Sequence, residues 1–189
     1  MGLPDTNRAL KKEADSLLYQ YGLHEIVGEY GEVTISGSYA LDLMVWRDLD
    51  LYVDMAGVSM DSIYHLVGRI CPIFKPVWAE FKDSREETTG CPQGYFLGFE
   101  TRVIDDRLWN ADIWFADAEY IADRRRYIAR TKASLDDERR ETILRLKTDL
   151  ARNPGYGNDF YSIQVYEAVL QDGVANEEDF WRWLQETGS

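Results

Sequence analysis

The run Asp48-Leu49-Asp50-Leu51-Tyr52-Val53-Asp54 constrains this chain more than any other stretch. Apolar and polar positions alternate, so it reads as a half-buried strand with Leu49, Leu51 and Val53 on one face. Asp48, Asp50 and Tyr52 take the other face, because residues two apart on a strand point the same way. Two carboxylates this close, with no lysine in the run, repel unless a cation sits between them. Hard divalent ions with oxygen ligands meet that need, and Mg2+ shares them with substrate phosphates. Upstream lies Ile35-Ser36-Gly37-Ser38, separated from Asp48 by nine residues. Gly37 permits a tight turn and a close approach of phosphate to the backbone. Ser38 offers a hydroxyl, and a helix starting there offers free N–H groups to an anion. Nine residues suffice for a short helix, Tyr39 to about Trp46, with Ser38 as its N-cap.

A third acid stands in Asn110-Ala111-Asp112-Ile113-Trp114-Phe115. Ala111, Ile113 and Phe115 alternate with Asp112, and a lone carboxylate in an apolar strand needs a partner or a ligand. Asp112 is therefore the candidate to complete a two-metal site with Asp48 and Asp50. Glu100, on the preceding strand, is a candidate general base for an acceptor hydroxyl, with an exposed pairing to Arg102 as the plainer alternative.

The hydrophobic-Gly-Ser motif, the spacer and the Asp-x-Asp pair between hydrophobics together resemble the signature of DNA-polymerase-beta superfamily nucleotidyltransferases. The resemblance covers about residues 30–116. It implies that Gly37 and Ser38 bind a triphosphate and that Asp48, Asp50 and Asp112 hold Mg2+. It further implies transfer of a nucleoside monophosphate from an NTP to an acceptor hydroxyl. The later helices are similar in plan to those of small antibiotic nucleotidyltransferases.

The rest of the chain supplies a frame of α+β class. Periodicity predicts a helix over Asn7–Tyr21, stopped by Gly22, and a strand over Val33–Ser36. It predicts a helix over Ser59–Ile70 ended by Pro72, a strand over Phe74–Phe81 and a loop over Lys82–Gly94. Strands over Tyr95–Ile104 and Asn110–Phe115 would close a mixed sheet of about five strands. From Ala118 onward the chain reads as helical, with a break at Asn153-Pro154-Gly155 and a last helix after Asn176. The expected organisation is a nucleotidyltransferase sheet domain over residues 1–117 and a C-terminal helical subdomain over 118–189.

Charge bears on partners. With 21 Lys and Arg against 34 Asp and Glu the formal charge is -13. An acidic surface argues against a nucleic-acid acceptor and suits a cationic small molecule such as an aminoglycoside. A protein acceptor and a non-catalytic nucleotide-binding module remain alternatives. The dense basic cluster Arg124, Arg125, Arg126, Arg130 and Lys132 is either a solvated helix face or a source of phosphate contacts. Tyr156 and Tyr161 are candidates to stack a base, whereas the spacing of Tyr166 fits a helix core. Cys71 and Cys91 lack metal-site spacing and read as reduced thiols of a cytoplasmic protein. No apolar run is long enough to span a membrane.

Overall fold

A five-stranded mixed sheet in the order β1-β2-β5-β4-β3 is the frame of the molecule. The structure is a computed structural model and describes residues 2–86 and 92–187. The strands are β1 (Val33–Ile35), β2 (Asp48–Asp54), β3 (Trp78–Asp83), β4 (Gly94–Ile104) and β5 (Arg107–Ala116). Only β2 and β5 run parallel; every other neighbouring pair is antiparallel. The β4–β5 hairpin turns on Asp105 and Asp106, both left-handed at φ 48° and 56°. That is the two-residue turn whose twist matches the flanking strands, and aspartate tolerates it.

One face of the sheet is dry. Leu49, Leu51, Val53, Leu97, Phe99, Ala111, Ile113 and Phe115 are buried there, as their alternation requires. They meet Leu10, Ala14, Leu17 and Leu18 from α1 (Leu3–Asp15) and its π-helical extension, and Ile26 and Val27 from α2 (Leu23–Gly28). Ile63, Leu66, Ile70 and Phe74 come from α4 (Met60–Phe74). The helix α4 runs through Pro72, where the sequence predicts its end. Pro72 removes one ladder hydrogen bond, but Phe74 is fully buried with its ring 5.5 Å from Phe99, and that packing carries the helix on. In consequence β3 starts at Trp78, later than its alternation predicts, and pairs with β4 as far as Asp83. The six-residue helix α2 is too short to carry a clear periodic signature in the sequence. Part of the expected Lys82–Gly94 loop, and Cys91 within it, lies outside the described residues; Cys71 is free and exposed.

The tail forms α5 (Ala118–Ser134), α6 (Asp137–Leu150), α7 (Ser162–Asp172) and α8 (Glu177–Thr187). Their own core joins Ile143, Leu144, Leu146, Leu150, Phe160, Val165 and Phe180. It also takes Leu41 and Leu43 from the segment before β2, so the tail is anchored beside the acids. Among the described residues no helix is long and apolar enough to cross a membrane.

Glu13 ties α1 to the sheet. Its carboxylate accepts from Arg47 Nε at 2.7 Å and Trp109 Nε1 at 3.3 Å, and it is paired with Arg107. Burial works against its ionisation, but the Arg47 and Arg107 charges and hydrogen bonds hold its pKa below the usual value. Replacing Glu13 by Ala is expected to cost about 2 kcal/mol, read from the urea midpoint. A group with a lowered folded pKa stabilises above its unfolded pKa and loses that contribution as pH falls. The gap between wild type and Glu13→Ala should therefore narrow below about pH 4; a gap independent of pH would assign the loss to packing alone.

Candidate active site

The Gly-Ser turn and the Asp pair meet directly. Ser36 N–H donates to the Asp50 carbonyl at 2.8 Å, which stitches the end of β1 to β2. Gly37 then turns at φ 59°, and a side chain on it would collide with the Asp50 carboxylate. Glycine is required there both by conformation and by space. The following helix α3 (Gly37–Leu41) is shorter than its spacing predicts. Its N-cap is Ser36 rather than Ser38, and it ends at Asp42 in the left-handed region at φ 64°. Leu41 and Leu43 leave the helix path to enter the tail core, which cuts the helix short.

Parallel pairing of β2 and β5 sets Asp48 opposite Asn110 and Asp50 opposite Asp112. The three acids thus share the face away from the dry core. Asn110 Nδ2 donates to Asp48 Oδ1 at 2.8 Å and to Asp112 Oδ1 at 3.1 Å, a neutral clamp between two carboxylates. Among the described residues, no three potential ligands close into a metal cluster. The acids nonetheless resist ionisation. Burial, then the charges of Asp48 and Asp112, raise the Asp50 pKa. Burial and then Asp48 push Asp112 up to about 6, against the opposing hydrogen bond from Asn110. Carboxylates that resist ionisation because of one another fit a hard divalent ion as their donor set.

Lys147 of α6 lies beneath them, fully buried. Its Nζ donates to the Leu43 carbonyl at 2.7 Å and to Tyr166 Oη at 3.1 Å, and sits 4.6 Å from the Trp46 ring centre. Burial lowers its pKa to about 7, while Asp48 and Asp50 oppose that shift. Sequence reasoning missed this residue. The signal was present, since Lys147 falls on the apolar stripe of Ile143, Leu144 and Leu150 at helical spacing.

A cavity of about 440 Å³ opens on this arrangement, within the size range of small-ligand sites. Gly37, Ser38, Asp48 and Asp50 form one wall, and Arg124, Tyr127, Tyr156, Tyr161 and Ser162 form the other. The basic cluster separates. Arg125 pairs with Glu32 and donates to Thr34, and Arg126 pairs with Asp123. Arg124 turns to the cavity between the Tyr120 and Tyr127 rings, and its buried Nε has no protein partner. Of the three tyrosines, Tyr166 is 4% exposed and belongs to the core, as its spacing predicts. Tyr156 Oη is bound to Ser162 Oγ at 2.7 Å, and Tyr161 is half exposed at the cavity mouth. Glu100 pairs in register with Asn110, so it shares the face of the acids one row away from Asp112.

The five-stranded mixed sheet with a helical tail beside it has the fold of solved RNA terminal uridylyl transferases. Solved structures of the same fold include a cytoplasmic RNA terminal U-transferase, with 17% identity and a TM-score of 0.57 over 85% of this chain and 47% of that one. A mutant of the Cid1 poly(U) polymerase bound to MgATP aligns with 17% identity and a TM-score of 0.58, over 86% of this chain and 50% of that one. Another Cid1 structure, described as an RNA terminal uridylyl transferase, gives 16% identity and a TM-score of 0.59 over 85% and 46%. The chain thus spans about half the length of each of these proteins. No family model and no curated protein matches it by sequence.

Proposed function

We propose that this protein transfers a nucleoside monophosphate from an NTP to a hydroxyl of a small-molecule acceptor and releases pyrophosphate. The observation that carries this reading is the contact of Gly37 with Asp50, itself beside Asp112, at the wall of a nucleotide-sized cavity. Ser38 and the backbone around Gly37 receive the triphosphate, and the free Arg124 Nε–H donates to a phosphate oxygen. Tyr161 stacks the base at the cavity mouth. Asp48, Asp50 and Asp112 would hold Mg2+, which when bound would offset the negative charge of the triphosphate oxygens and make the transferred phosphorus more electrophilic. Glu100, on the same face one row from Asp112, takes the proton of the acceptor hydroxyl. The acceptor oxygen bonds to the α-phosphorus as the α–β bridging bond breaks, and pyrophosphate leaves with the bond's electron pair.

RNA as acceptor is the second reading, favoured by what the similar structures are named for. The acidic charge of -13 opposes it, because a protein that grips a polyanion gains affinity from a basic track.

The first test is thermal unfolding with a panel of NTPs. Saturating NTP with Mg2+ is expected to raise Tm by roughly 5–10 °C, and NTP in excess chelator by little. Equal stabilisation in both would overturn the metal-dependent reading. Release of pyrophosphate in an acceptor screen then separates an enzyme from a binding module.

A further inference from the structure

The two edges of the sheet differ. The edge strand β1 has three residues, and Arg125 ties it down by donating to Thr34 and pairing with Glu32. At the opposite edge β3 has six residues, and among the described residues β4 is its one strand neighbour. Trp78, Ala79, Glu80 and Asp83 are exposed there, and so is Val77 just before the strand. A long open edge is a template for another strand unless proline, a bulge or a covering element blunts it. The strand β3 contains no proline and pairs with β4 without a register shift. Its outward backbone groups can be assigned. The Gly94 and Glu100 carbonyls accept from the Ser84 and Val77 N–H groups at 2.8 and 2.9 Å, so even positions of β4 face β3. Alternation then turns even positions of β3 toward β4 and the N–H and C=O groups of Ala79, Phe81 and Asp83 outward.

We propose that this edge pairs with β3 of a second copy of the chain, antiparallel about a two-fold axis at Phe81, so that two five-stranded sheets become one. The inference concerns assembly and does not rest on the nucleotidyl-transfer reading. In this register Phe81 meets the partner's Phe81 and Ala79 meets the partner's Asp83, so the outward groups of all three residues form the ladder. On the face of the acids, Glu80 falls opposite the partner's Lys82 and Lys82 opposite the partner's Glu80. These are the non-hydrogen-bonded pairs, whose side chains stand closest, and there opposite charges stabilise while like charges destabilise. The neighbouring symmetric registers place the axis at Glu80 or at Lys82. The first sets two glutamates opposite each other, the second two lysines. The order Glu80-Phe81-Lys82 therefore selects the Phe81-centred register against both. The dry side has room for the pairing. The helix α4 lies over β4, with the Phe74 ring 5.5 Å from Phe99. The two β4 strands would stand three strand spacings apart, about 14 Å, against the roughly 8–10 Å at which helices pack. Tyr64 of α4, 62% exposed with its ring 6.3 Å from Phe81, fills that space together with the partner's Tyr64.

Sedimentation equilibrium on the whole chain, from about 1 to about 300 μM, reads the assembly directly. Wild type should rise with concentration from the monomer mass of 21.9 kDa toward twice that value. Glu80→Lys and Lys82→Glu each set like charges opposite one another at both symmetric pairs, and each should weaken the dimer at least about tenfold. The double variant Glu80→Lys/Lys82→Glu exchanges the charges and restores both pairs, so it should return to within about threefold of wild type. Ala79→Pro removes an outward N–H that β4 does not use, so the monomer should fold and the dimer should be lost. Thermal unfolding of every variant checks the fold, and if Ala79→Pro does not fold, the three charge variants decide alone. A wild type that stays monomeric throughout would leave this edge to a strand of another protein and overturn the proposal. A dimer that survives Ala79→Pro, or a folded double variant no tighter than the single ones, would overturn it equally.

Discussion

Asp50→Asn and Asp112→Asn are expected to reduce pyrophosphate release by at least about a thousandfold while leaving the metal-free protein as stable as wild type or more so. Asp50 is raised in pKa by burial and by Asp48 and Asp112, so its ionised form is a strain on the folded state. Asn keeps the volume and removes the charge. The pH dependence has a defined sign. A folded pKa above the unfolded value gives a contribution fully present below the unfolded pKa and lost as pH rises through the folded one. For Asp112 that window runs from the ordinary 3.8 of an aspartate up to about 6. Metal-free wild type should thus lose stability across this range, on the order of 1–2 kcal/mol after allowing for solvent screening at a half-buried group, or roughly 3–6 °C in Tm. Asp112→Asn should flatten that slope. Thermal unfolding in chelator from pH 4 to pH 7 checks this. A loss above about 2 kcal/mol at pH 7 in both variants would mean that the acids serve structural pairs and not a cation site.

Lys147→Ala carries the largest expected effect on stability, a loss of about 3–5 kcal/mol. The substitution removes a fully buried side chain and leaves the Leu43 carbonyl without its donor. It also deprives Asp50 of the one charge that lowers its pKa. Lys147→Met refills most of the volume and should recover about half of the loss, since a buried ammonium is itself costly to desolvate. The Lys147 pKa of about 7 adds a second sign. A cation with a lowered folded pKa is destabilising while charged, so its presence should make stability rise with pH above about 7. Denaturant melts of wild type and both variants at pH 7 and pH 9 measure this. Lys147→Ala as stable as wild type would show that the lysine does not hold the tail to the acids.

Much of this site was legible in local pattern. The Gly37-Ser38 turn and the alternation around Asp48 and Asp50 are properties of adjacent residues, and strand geometry alone puts two carboxylates on one face. Likewise the apolar period of 49, 51 and 53 assigned the buried side correctly. Boundaries moved wherever distant packing outweighed propensity. Phe74 carried α4 past Pro72, and burial of Leu41 and Leu43 in the tail core ended α3 early.

By itself the sequence determined which residues carry like charge and on which strand faces they stand. Only the tertiary structure decided what stands beside them. The register of β2 on β5 sets Asp50 against Asp112, and residues so far apart in the chain have no local rule that fixes their offset. The Asn110 clamp on Asp48 and Asp112 follows from that same register. Lys147 reaches the site from a helix about a hundred residues later, because closing that loop costs little entropy beyond what the packed core returns.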